Sequence, residues 1–374
     1  MTASRPALLR AFGWHRPLMA VAALMVLCSV VCLVGALVDP RQVTGAEVWL
    51  KPLKFSLSIL VYSVTWAWLI AHLPRFRRLA HGAGIVIAVA LAVEQVAIVG
   101  AAAAGTTSHF NVSSGFSAAV WATMAVSITV LYVATFVTTV LLFWFRLPTP
   151  SLTLAVRAGA ALALVGMGLA FLMTGPTAAQ LDDWQGVVGA HTVGLADGGP
   201  GLPVLGWSTV AGDLRIPHFV GMHALQLIPL VAIGLDLLGR RVRVLADDRV
   251  RRRLVVVVVA GYAGGLAVLT AQALAGQSIM QPSGAVLVAG WAVAGGVLLA
   301  AAAVLVRAAR VGRGAAAAPW PERGPSGAAP TPPSSAAAAS GAAAAAASGA
   351  AAVAASSSHG AGETVGVASD GVRA

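Results

Sequence analysis

Residues 75–104 read RFRRLAHGAGIVIAVALAVEQVAIVGAAAA. Three arginines, Arg75, Arg77 and Arg78, stand at the head, and from 82 to 104 the one ionisable side chain is Glu94. At about 1.5 Å of rise per residue, such a run crosses the roughly 30 Å hydrocarbon core of a bilayer. The pattern recurs along the chain at 17–38, 54–73, 117–143, 156–175, 217–239, 254–276 and 284–306. Hydrophobic residues make up 58% of the 374, charged residues 10%, too apolar a mix for a soluble globular chain. Backbone groups in lipid must be satisfied within their own segment, and nothing alternates as barrel strands do. The expected fold is therefore an all-α integral membrane protein, a bundle of eight transmembrane helices.

Orientation follows from the cations near the span ends. With the N-terminus inside, eighteen arginines fall on the inner side, from Arg5, Arg10 and Arg16 through the group Arg249, Arg251, Arg252 and Arg253 to Arg313. Four cations fall outside: Arg41, Lys51, Lys54 and Arg215. One missed helix would scramble that split, so both termini are expected in the cytoplasm of a plasma-membrane protein, with 1–16 as the N-terminal segment and 17–312 as the membrane domain. The net charge of +11 is then a set of anchors at the anionic inner surface, and no basic soluble domain exists to carry nucleic acid. The first apolar run is longer than a signal peptide's and reads as a span. Cys28 and Cys32, one turn apart within it, read as small buried hydrophobes. From 313 to 374 the composition collapses into Ala, Ser, Gly and Pro, which predicts a disordered tail.

The lipid bilayer is the expected partner, and helix contacts are legible in places. Gly261 and Gly265 form a small-residue pair in the seventh span. Ala90, Ala97, Ala101 and Ala104 share a stripe with Glu94 and turn that acid toward the bundle. Asp236 pairs locally with Arg240. The outer loop 176–216 holds Asp182, Asp183, Trp184 and Trp207 and no evident helix or strand; its tryptophans suit an ordered cap.

The candidate chemistry lies in the outward half: Lys51, Lys54, Glu94, His109, Asp213, His218, His223, Gln226 and Gln272. The only lysines of the chain, Lys51 and Lys54, share a face at spacing three; each is either a snorkelling anchor or a ligand group. Glu94, whose charge near mid-membrane would cost about 2.5–3.5 kcal/mol, is either functional, in reach of His223, Gln226 or Gln272, or an acid hydrogen-bonded to Gln95 or a nearby hydroxyl. Asp213 and Pro217 suit the start of the sixth span. His223 and Gln226 share a face, either as site residues or as a bridge between helices, whereas His218 points about 140° away. Lysines gathered in one place need a counter-charge, from Asp213, Asp182, Asp183 or a bound anion.

The stretches KPLKFSLS (51–58), GTTSHFN (105–111) and GDLRIPHFVGMHALQ (212–226) resemble those of an uncharacterised family of multi-pass membrane proteins from high-GC bacteria. The resemblance implies the membrane architecture and no activity. Function is expected to be binding or transport of a small polar or anionic solute. The alternative is a redox or metal protein, with haem b or a divalent metal on His109, His218 or His223. No phosphate-cradling loop, nucleophile elbow or paired-cysteine motif is present.

Overall fold

The computed structural model describes residues 11–317. Helix dominates. The long helices are α1 (Arg16–Val38), α2 (Leu50–Ala71), α3 (Arg77–Ala103), α4 (Gly115–Leu141) and α5 (Pro150–Leu169). A short α6 (Ala178–Asp182) follows, then α7 (Arg215–Met222), α8 (Ala224–Gly239), α9 (Asp248–Leu274) and α10 (Gly284–Ala317). Among the described residues, seven helices are long and apolar enough to cross a membrane, or eight if the α7–α8 pair is one span. Their starts are written in local chemistry. Side chains of His15, Ser114, Thr149 and Asp247 accept first-turn amides of α1, α4, α5 and α9, and Pro150 opens α5 where no amide is needed.

The principal core joins α1 to α5 through Leu18, Met25, Trp66, Ile87, Leu131 and Val156. A second cluster, built on Ala155, Ala224, Ile228 and Val255, binds α5 to α8 and α9. The tightest crossing is glycine on glycine. A Cβ on Gly166 of α5 would collide with the backbone of Gly221 and Met222 of α7, and one on Gly159 would lie 2.8 Å from the Ala224 carbonyl. Connections 39–49, 104–114 and 170–214 gather at one end of the bundle; the arginine-rich turns gather at the other. There Arg251 donates to the Leu245 and Ala246 carbonyls and meets Asp236 at 3.4 Å, nearer than the expected Arg240 partner at 3.9 Å.

Four expectations are corrected. The sixth span is not one helix: α7 and α8 meet at 45° around His223. The break is flanked by Gly221, pressed against α5, and Pro229, which lacks a helix donor, both known sources of kinks. The glycines of α9 that face α10 are Gly261 and Gly264, against Val297 and Val293, while Gly265 has nothing within 4 Å of its Cβ position. The 176–216 connection has elements of its own, α6 and a two-residue strand (Thr192–Val193) that pairs antiparallel with a second (Gly212–Asp213). The last helix continues past 313 to Ala317, because alanines of high helix propensity extend it. The tail expected to be disordered lies outside the described residues from 318 onward, as do residues 1–10 at the other terminus.

Candidate functional site

Lys51 stands in the first turn of α2 and Lys54 one turn on, where the 104–114 loop folds over the helix start. The Lys51 ammonium, which can only donate, lies 3.2 Å from Nδ1 of His109. That nitrogen must therefore carry a lone pair, so the imidazole is neutral with its proton on Nε2. The Ser108 hydroxyl donates to the same nitrogen at 2.9 Å. His109 packs tilted on Phe55 and Trp121, at 5.8 and 5.7 Å between ring centres.

The cap closes over this pair. Lys54 donates to the Leu205 carbonyl at 2.8 Å, and Arg215 Nη2 donates to the Gly206 carbonyl at 2.6 Å. Arg215 also grips Asp213, with Nε at 2.9 Å from Oδ1 and Nη2 at 2.6 Å from Oδ2. The Asp213 side chain is wholly buried and accepts the Ser208 and Arg215 amides as well, so it ties the loop to the first residue of α7. A bridge between Asn111 and Val187 and the seating of Gly186 on Ser113 tie the cap to the 104–114 loop.

Sequence reasoning passed over His191 and Asp197. Nδ1 of His191 donates to Asp197 at 2.6 Å, and Asp197 also accepts the His191 and Thr192 amides. Burial would raise the Asp197 carboxyl, yet the bonds from His191 and Thr192 hold it below the usual carboxylate range. Burial lowers His191 in spite of that partner. A six-residue spacing inside a loop has no helical or strand period, so the one available signal was the company of His191 and Asp197 around the turn-forming Gly194. Arg215, legible only as one of four outer cations, belongs to the same cluster.

The remaining candidates separate. His218 donates from Nδ1 to the Gly166 carbonyl at 2.8 Å, across the glycine crossing. His223 bonds Gln226 at 3.3 Å, and Gln226 reaches Thr65 at 3.4 Å, which makes a bridge from α8 to α2. Gln272 donates to the Ser278 carbonyl at 2.7 Å and shares a narrow crevice with Asp213. Asp182 and Asp183 are exposed and supply no counter-charge to the lysines; Asp213 and Asp197 are the acids of the cluster. Glu94 faces the interior, 5% exposed, but reaches no polar side chain: its Oε1 is buried without a hydrogen-bond partner. Gln95 has turned its amide to Ser56 and the Pro52 carbonyl instead, and its own Oε1 is unpartnered.

Among the described residues no three His, Cys, Asp or Glu side chains converge as a metal would need, and His218 and His223 spend Nδ1 on Gly166 and Gln226. No protein-family model, curated protein or solved structure matches the chain.

The neutral His109 has a pH signature. Burial, then the neighbouring Lys51, depress it well below the ordinary 6.5. An unfolded chain protonates this residue near 6.5 while the folded one does not. Its contribution to stability is therefore full above that pH and declines as pH falls toward the folded value. In a histidine ¹⁵N NMR titration, assigned with His109→Gln, the His109 ring should remain neutral at pH 6.5. Half-protonation at or above that pH would contradict the lysine contact.

Proposed function

We propose that the chain is an eight-span plasma-membrane protein with both termini cytoplasmic, and that its outward end binds a small anionic solute for capture or transport. The arginine asymmetry of the sequence supports the orientation. The observation that carries the site is the state of the lysines. Among the described residues neither forms a salt bridge: Lys51 rests on a neutral imidazole and Lys54 on a backbone carbonyl, while Asp213 is committed to Arg215 and Asp197 to His191. Two half-buried ammonium groups left to neutral partners form a field that favours an anion.

Trp121, beside His109, provides the readout. Titration of the full chain in nanodiscs should change tryptophan fluorescence with chloride, acetate, succinate or phosphate, and not with choline or glucose. A charge-assisted hydrogen bond contributes about 1.5–3 kcal/mol, so Lys51→Ala should weaken the responding anion at least roughly tenfold. A response equal for glucose and anions, or an unchanged affinity in the variant, would end the proposal.

A further inference from the structure

We infer that Cys28 and Cys32 of α1, backed by Gln95 of α3, form a binding site for a soft monovalent metal ion, copper(I) or silver(I). The inference is independent of the anion site. Residues 28 and 32 stack on one face of α1, the face that meets α2 and α3, while Leu27, Val30 and Val31 stay exposed on its other faces. Cys32 is wholly buried, Cys28 is half-buried, and both thiols are free. Their sulfurs stand 3.8 Å apart. A metal–thiolate bond is about 2.3 Å long, so an ion held between the two sulfurs would see them at about 110°. A small turn about either Cα–Cβ bond widens that angle, and an ion with a closed d shell sets no angle of its own.

The surroundings distinguish a ligand pair from two apolar fillers. Gln95 Nε2 lies 3.3 Å from Cys28 Sγ, 3.2 Å from the Pro52 carbonyl and 2.9 Å from Ser56 Oγ. The carbonyl can only accept, and the Ser56 hydroxyl gives its own proton to that carbonyl at 2.8 Å. Both therefore require the amide to present its NH₂ end, which also meets the Cys28 sulfur. Gln95 keeps this pose although it leaves the buried Oε1 without a partner. A donor directed at a sulfur is the kind of outer-shell contact that orients a metal-bound thiolate. The number of donors selects the ion. Among the described residues no third His, Cys, Asp or Glu converges on the pair, so zinc(II) lacks the three or four ligands it takes. Copper(I) and silver(I) are held by two sulfurs, the soft donors that favour them. On binding, the Cys28 S–H bond breaks, a metal–sulfur bond forms and the proton leaves to water, while the Cys32 sulfur donates a lone pair. One cation replaces one proton, so no net charge is added where charge is costly.

The test uses the full chain in nanodiscs, kept reduced with ascorbate, loaded with copper(I) and challenged with a colorimetric copper(I) chelator; silver(I) and zinc(II) are run in parallel. Wild type should retain one copper(I) per chain and show an ultraviolet sulfur-to-copper charge-transfer band. X-ray absorption should find two sulfur neighbours, a reading that needs no variant to fold. Cys28→Ser and Cys32→Ser should each abolish the band and the retained ion, with a metal-free melting temperature near that of wild type. Gln95→Leu should weaken retention about tenfold. Copper(I) lost to the chelator, retained equally by both serine variants or surrounded by nitrogen and oxygen alone would overturn the inference. Zinc(II) held as tightly as copper(I) would overturn the choice of ion.

Discussion

Asp213→Ala should destabilise the protein by about 3 kcal/mol and cost it the ordered cap. Removing one member of a buried ion pair typically costs about 3–5 kcal/mol, because the partner is left uncompensated. The lower end applies here, since Arg215 keeps 30% of its side chain exposed and water can solvate part of it. The loss is more than one ion pair. The same carboxylate accepts the Ser208 amide at 2.8 Å and the Arg215 amide at 3.0 Å, so alanine strands two backbone donors, one of them the first amide of α7. Thermal unfolding in detergent reads the stability, and protease cleavage between 198 and 210 reads the cap. Asp213→Asn, which keeps the shape and one acceptor, should fall between wild type and alanine. A melting temperature within experimental error of wild type for the alanine variant would show that Asp213 holds nothing, and the arrangement of Arg215 at the site would lose its support.

The bundle was legible because lipid imposes a coarse, long-range rule: twenty or so apolar residues, with arginines at their ends. Helix starts were less legible: the fifth span was read from 156 although Thr149 and Pro150 open α5, and the sixth was read from Pro217 although α7 begins at Arg215. The site was readable only in outline. Lys51, Lys54 and His109 could be assigned to one membrane face by counting spans, and a single-sided pair of lysines stood out against arginine everywhere else. Contacts made by irregular backbone left no periodic trace. Nothing in the run from Gly198 to Trp207 announces that the Leu205 and Gly206 carbonyls will face Lys54 and Arg215, or that Asp197 will fold back on His191. Glu94 shows the opposite failure. Its alanine stripe gave the correct direction, but a partner could not be chosen, because side-chain reach across three helices depends on their relative depth. The bend at His223 likewise depends on how closely Gly221 meets another helix.

Gly166→Leu should prevent assembly of the bundle. Overpacking a core ordinarily costs about 1–3 kcal/mol because side chains can shift. At Gly166 the atoms in the way are the backbone of Gly221 and Met222, which no rotamer change can move, so about 3 kcal/mol is the least to expect. Separating α5 from α7 would break the His218 bond to the Gly166 carbonyl and strain the Tyr262 hydroxyl bond to the Val220 carbonyl. It would also move Arg215, at the head of α7, away from Lys54, so the damage reaches the site from a distance. The variant should yield little monodisperse protein on size-exclusion chromatography, and Gly166→Ala, with a single methyl in the same place, should be intermediate. Gly265→Leu is the matched control, since its Cβ position has nothing within 4 Å and a leucine there gains helix propensity. Equal yields and melting temperatures for the 166 and 265 leucine variants would show that α5 and α7 do not meet backbone to backbone, and the placement of His218 and Arg215 would have to be redrawn.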